Sequence, residues 1–219
     1  MFRSLIAAVV ILGLSACTTN PYTGEREASN KAKGAAIGAG IGAVIGILTG
    51  DDADERRKRA LIGFGAGALT GTGVGAYIDA QENKLRAQLE GSGVSVTRLG
   101  NDLVLNMPGN ITFDVDRSDL RGDFVPVLDS VSLVLKEYES TLIDVTGHTD
   151  STGSVNYNLG LSTRRANSVA LYLRASGIHG ERVETLGVGP NYPIADNQTA
   201  YGRQQNRRVE LVLRPLLQG

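Results

Sequence analysis

Three hydrophobic patterns follow one another along the chain, and each predicts a different kind of structure. Residues 1–16 carry one charge, Arg3, and then the apolar run Leu5-Ile6-Ala7-Ala8-Val9-Val10-Ile11-Leu12. That run suits the apolar region of a targeting peptide and is too short for a membrane-crossing helix. After a polar stretch to Lys33, glycine recurs every four residues at Gly34, Gly38, Gly42, Gly46 and Gly50, and again at Gly63, Gly67, Gly71 and Gly75. A period of four stripes one face of a helix, so two apolar arms form a helical hairpin over 34–78 around the charged turn Asp51–Arg59. A helix-favouring connector, 79–93, ends at Gly91-Ser92-Gly93. From Val94 the spacing changes to alternation (Val94, Val96; Leu103, Leu105, Met107), with Gly100-Asn101 and Pro108-Gly109 as turns. Helical spacing covers Leu120–Tyr138 and Val155–Ser176, the latter closed by Gly177. Strands are predicted at Leu142–Gly147, Val183–Gly187 and Val209–Leu213. Strand–helix–strand–helix–strand with a final paired strand makes a two-layer α+β domain over 94–214, leaving 215–219 as a tail.

Composition then removes whole classes of function. The net charge is −1, from 22 basic and 23 acidic side chains, so no bulk basic field attracts nucleic acid. The runs Arg56-Arg57-Lys58-Arg59 and Arg207-Arg208 lack interleaved aromatics, which also argues against nucleic acid. A single Cys forbids an internal disulfide, and with two His it cannot build the usual structural zinc site. No metal or cofactor is expected. The arms contain no Gly-Lys-Ser/Thr or Gly-x-Gly-x-x-Gly, so they do not cradle phosphate. Each glycine costs a helix about 1 kcal/mol against Ala, and close backbone contact along the stripe supplies the compensation. Three arrangements satisfy that stripe: insertion in the membrane, which comes first, self-association at its surface into a homo-oligomer, or a water-soluble pair.

Two resemblances extend this reading. Leu14-Ser15-Ala16-Cys17 resembles the bacterial lipobox, which implies removal of residues 1–16 and acylation of Cys17. Residue 18 is Thr and not the Asp of inner-membrane retention, so the implied destination is the outer membrane. Residues 17–33 are then a lipidated Cys and tether. Farther on, Gly147-His148-Thr149-Asp150-Ser151-Thr152-Gly153, Asn158-x-x-Leu161-Ser162-x-x-Arg165-Ala166 and Asn206-Arg207-Arg208-Val209-Glu210 are similar to the OmpA C-terminal, peptidoglycan-binding family. The full layout, lipobox and glycine arms included, resembles that family's outer-membrane lipoproteins.

The family's ligand is the diaminopimelate of Gram-negative peptidoglycan, whose free end presents an ammonium and a carboxylate on one carbon. The resemblance implies that Asp150 takes the ammonium and Arg165 the carboxylate, where a planar fork serves better than Lys. Asn158, Thr149, Arg207 and Asp114 match supporting positions. Taken singly, Asp150 would cap a helix and Arg165 would be a solvated charge; the combined spacing favours binding. His148, Asp150 and Ser162 have the residue types of a catalytic triad, but a His and an Asp two apart at a strand end cannot set the carboxylate behind the imidazole. His148 reads as a packed strand-end residue. The expectation is a non-catalytic tether, with lipid at Cys17 in the outer membrane and the domain gripping peptidoglycan in the periplasm. The alternative is an oligomeric assembly or pore protein built by the glycine arms, with the domain only localising it.

Overall fold

In the computed structural model the described residues are 18–19, 26–27, 57–58, 61–62, 67–71 and 73–217. The predicted targeting peptide, Cys17, most of the tether and the first glycine arm lie outside them, as do parts of the second arm. Thr18–Thr19 and Arg26–Glu27 form a two-residue antiparallel pair.

The alternating segments become one sheet of β1 (Ser95–Leu99), β2 (Asp102–Pro108), β3 (Thr141–His148), β4 (Val183–Gly189) and β5 (Arg208–Pro215). The spatial order is β1-β2-β5-β3-β4. Only β3 and β4 run parallel; β1–β2, β2–β5 and β5–β3 are antiparallel. The predicted final paired strand thus occupies the centre of the sheet. Its odd positions, Val209, Leu211 and Leu213, join Leu103, Leu105, Met107, Ile143 and Val145 in the core. Its even positions are buried too, on the opposite face: Arg208 Nε donates to Glu210 Oε1 at 2.7 Å, and Arg214 Nε to Asp144 Oδ2 at 2.6 Å.

Helices α1 (Gly73–Gln88), α3 (Val125–Glu137) and α4 (Val155–Ala175) cover the odd face. Two short helices, α2 (Gly109–Thr112) and α5 (Ala200–Asn206), lie in the connections. α3 starts later than its spacing predicts, because Pro126 favours a first turn and Leu120 instead bridges to Phe113. Leu128, Val131, Val134 and Leu135 of α3 are fully buried, each contributing about 1.5–3 kcal/mol of transfer free energy. The Ser154 side chain caps α4 by accepting from the Tyr157 N–H. α4 lies against the sheet where two glycines face it. A Cβ on Gly147 would stand 2.0 Å from the Ser162 carbonyl oxygen, and one on Gly187 2.1 Å from Thr163 Oγ1.

The predicted connector is part of this core. Ile78, Leu85 and Leu89 join the same apolar cluster as α3 and the sheet. Tyr77 sets its ring edge-on to Tyr138 at 5.2 Å and shares a hydrogen bond with Thr141 Oγ1. Earlier still, Leu61 packs with Leu142 and Leu216, and the Leu69 N–H donates to the Leu216 carbonyl at 2.7 Å.

Candidate functional site

Where β3 ends, the chain turns through Thr149 and Asp150 into the α4 cap, beside the start of β5. A cavity of about 490 Å³ opens there, and Asp114, Thr149, Asp150, Asn158, Arg165 and Arg207 all line it. Four different segments therefore bring the sequence-predicted residues other than Cys17 to one place.

Asp150 is 7% exposed. Its Oδ1 accepts from the Thr152 N–H at 2.8 Å and its Oδ2 from Arg207 Nη1 at 2.6 Å. Burial alone would raise its pKa, but those hydrogen bonds prevail and hold the carboxyl below its ordinary value. Asn158 Nδ2 donates to the Thr152 carbonyl at 2.8 Å, fixing the same turn from α4. Thr149 contributes an Oγ1 that is buried without a hydrogen-bond partner among the described residues.

Arg165 is 4% exposed, with its guanidinium 5.1 Å over the Phe113 ring. Nε donates to the Arg117 carbonyl at 2.9 Å; among the described residues neither Nη is given a hydrogen-bond acceptor. Burial, and then the like charge of Arg207, lower its pKa. A guanidinium stays protonated regardless, so the site holds a desolvated cation whose two Nη groups carry four N–H donors to spare. Asp114 is differently placed: Arg121 Nη1 reaches its carboxylate at 2.8 Å, at the exposed rim.

The cavity has walls the sequence reading missed. Phe113, Asp116, Tyr157 and Arg203 also line it. Asp116 has a positive φ of 60° and accepts a hydrogen bond from the Tyr157 hydroxyl. Arg203 Nη1 is committed to the carbonyls of Asn197 and Gln198. The only hint in the sequence was Phe113-Asp114; residues far apart in the chain carry no periodic signal that they will meet.

The triad-like residues do not hydrogen-bond to one another. Ser162 Oγ donates to the Leu159 carbonyl and accepts from the Gly189 N–H, both at 2.9 Å. His148 is wholly buried, its Nε2 3.6 Å from Glu210 Oε2. Burial, helped by Arg208, pushes its pKa down to about 4. Burial would raise Glu210, but Arg208, with a smaller share from His148, brings it down to about 2. His148 is thus a neutral, packed strand-end residue at pH 7, as its position predicted.

A helix-covered mixed sheet with this Asp–Arg cavity at the end of its parallel pair defines an OmpA C-terminal-like domain, and the chain belongs to the OmpA family. The family matches residues 112–207, and the YMGG-like Gly-zipper family matches residues 1–79. Over 97% of its length the chain is 53% identical to Probable lipoprotein YiaD of Escherichia coli (strain K12), 97% of which is covered. Peptidoglycan-binding protein ArfA of Mycobacterium tuberculosis (strain ATCC 25618 / H37Rv) is 41% identical over 48% of this chain and 32% of its own. The cell wall anchor of the T6SS from Pseudomonas aeruginosa superposes with a TM-score of 0.56 at 28% identity, over 61% of this chain and 99% of that one.

Proposed function

We propose that this chain is an outer-membrane lipoprotein whose C-terminal domain binds peptidoglycan without cutting it and so ties the membrane to the wall. The observation that carries the reading is Arg165, a buried guanidinium with unused donors in the same cavity as the Asp150 carboxylate. A ligand that complements both must present an anion and a cation close together. The free end of diaminopimelate does so: its carboxylate pairs with Arg165 in bidentate fashion and its ammonium with Asp150. An ionised carboxylate accepts about four hydrogen bonds, and Thr152 and Arg207 use two of those on Asp150, so acceptor sites remain for an ammonium. Asn158 holds the turn, Arg207 orients Asp150, and the Thr149 hydroxyl and Asp114 stand ready for the rest of the ligand. Wall association also fits a sequence relative named for peptidoglycan binding and a structural neighbour that is a cell wall anchor. Acyl chains on Cys17 supply the membrane end of the tether, since several chains hold durably where one holds reversibly.

The test is co-sedimentation of the purified full chain with peptidoglycan sacculi, with and without free diaminopimelate. Asp150→Ala and Arg165→Ala each leave one ionic group of the ligand desolvated and unpaired, at about 2–5 kcal/mol, roughly thirtyfold or more in affinity. Binding that resists free diaminopimelate, or folded variants that sediment as the wild type does, would overturn the proposal.

A further inference from the structure

Arg57 belongs to the charged turn between the glycine arms, yet its side chain is only 7% exposed. Its guanidinium lies on the face of the sheet away from the helices. Nη1 donates to Asp144 Oδ1 at 2.8 Å and stands 3.3 Å from Glu184 Oε2, while Nη2 donates to the Arg182 carbonyl at 2.9 Å. Asp144 sits in the middle of β3. Its neighbours Ile143 and Val145 face the helices, so alternation turns Asp144 the other way. It is 1% exposed and is held by Arg57 on one oxygen and Arg214 on the other. Without Arg57, a buried carboxylate would lose one of its two cations.

The contacts continue along the second arm. Leu61 is buried against Leu142 and Leu216, Ser140 Oγ donates to the Gly67 carbonyl, and Leu69 pairs with Leu217. Tyr77 then reaches Thr141 at the start of β3, and α1 enters the core.

We infer that the charged turn and the second glycine arm are docked on the C-terminal domain, on the side of its sheet away from α1, α3 and α4, so that this arm does not cross a membrane and the turn stays on the domain's side. Crossing a hydrocarbon core of about 30 Å takes roughly 20 helical residues. The longest interval between successive contacts here, Leu69 to Tyr77, is less than half of that. It would also have to go out and come back. The first arm alone would then be a single crossing, putting Cys17 and the domain on opposite sides. This inference rests on the lipid anchor proposed above and adds that Cys17 is acylated in the leaflet that faces the domain, so that the first arm does not cross either. The hairpin insertion favoured by the glycine stripe therefore gives way to a turn used as an intramolecular clasp.

The sidedness can be read in cells without disturbing the clasp. Single-cysteine reporters are placed in the turn (Asp52→Cys) and on the exposed surface of α4 (Asn167→Cys), with the wild-type chain as the blank for Cys17. A membrane-impermeant maleimide is added to intact cells and to cells with a permeabilised outer membrane. Both reporters should label in the same condition and be silent in the other; labelling of the turn alone in intact cells overturns the inference. For the clasp itself, Arg57→Glu sets a second carboxylate against Asp144. Trypsin should cut the 56–59 stretch of purified Arg57→Glu chain at least tenfold faster than the wild type, with residues 94–214 left intact. Equal, rapid cleavage of both proteins would refute docking. Sacculus binding enters neither readout, so failure here is distinct from failure of the wall-binding proposal.

Discussion

Gly147→Ala adds a single methyl group at the seam between β3 and α4, and the geometry there sets its effect. The new Cβ would stand 2.0 Å from the Ser162 carbonyl oxygen and 2.8 Å from its carbon. Both atoms are backbone of a long helix, so no side chain can swing aside. To open the contact past 3.0 Å, α4 must retreat by about 1 Å. That movement loosens its second seam at Gly187 and the hydrogen bond from the Gly189 N–H to Ser162 Oγ. Overpacking costs 1–3 kcal/mol as a rule, and an immovable neighbour places this case near 3 kcal/mol. For a unit of this size the melting temperature should fall by roughly 6–12 °C. Asn158 and Arg165 ride on the same helix, so sacculus binding should fall more than the loss of folded protein accounts for. Gly122→Ala is the control, because its Cβ meets nothing within 4 Å. Urea titrations of the three proteins decide the matter: if Gly147→Ala unfolds at the wild-type midpoint, the tight seam is not a feature of the molecule.

Four further outcomes follow from the site, its surroundings and the lipid anchor. Arg165→Lys keeps the charge but loses the fork, and should bind sacculi several-fold more weakly by the same sedimentation assay. Phe113→Leu keeps an apolar wall but removes the ring beneath Arg165, a cation–π contact worth roughly 0.5–2 kcal/mol, and should weaken binding by a comparable amount without moving the urea midpoint by more than its packing change. His148 has a folded pKa of about 4 against 6.5 unfolded, so the unfolded chain binds the extra proton; stability is complete above pH 6.5 and declines as pH falls towards 4. Glu210, at about 2 against 4.5, adds a second decline below pH 4.5. Burial raises Asp102 to about 6 and gives the opposite trend over the same range in both proteins. Between pH 7.5 and 4.5 the wild-type urea midpoint should therefore fall relative to that of His148→Gln; parallel curves would contradict the assignment. Finally, Cys17→Ser should leave unprocessed, unacylated precursor, read from the mass of the N-terminus, and an unmodified Cys17 in the wild type would remove the lipid anchor from the proposal.

The strands and the helices α3 and α4 were legible because their apolar positions recur with the period of each element. The central position of β5 was not. Arg208, Glu210 and Arg214 look like a solvated face in sequence, and only their ion pairs reveal that both faces are covered. α1 read as a connector because its buried face includes Gln81, which donates to Thr141 Oγ1. α5 has no apolar stripe; it rests on the Thr199 cap, whose Oγ1 accepts from the Gly202 N–H at 2.9 Å. In the site, Asp150, Asn158 and Arg165 were readable from motif spacing along one strand–helix joint. Phe113 and Asp116 were not, since the contact between Arg117 and Arg165 that brings their loop to α4 is made by a backbone carbonyl, which any residue possesses.

The position of β5 also imposes an order of events. It is the last strand in the chain and the one that joins two separate halves, the β1–β2 hairpin and the parallel β3–β4 pair. While a polypeptide is threaded through a membrane from its N-terminus, those halves emerge first, and each waits with an unpaired edge, β2 on one and β3 on the other. Exposed edges of this kind are templates for wrong pairing, and pairings that close large loops are slow to form. Arg207, which orients Asp150, precedes β5 directly, so the cavity is completed in the same step that zips the sheet. For the exported lipoprotein proposed above, a partly translocated chain therefore has an incomplete cavity, and the proposed capture of the wall ligand waits until translocation and folding are finished.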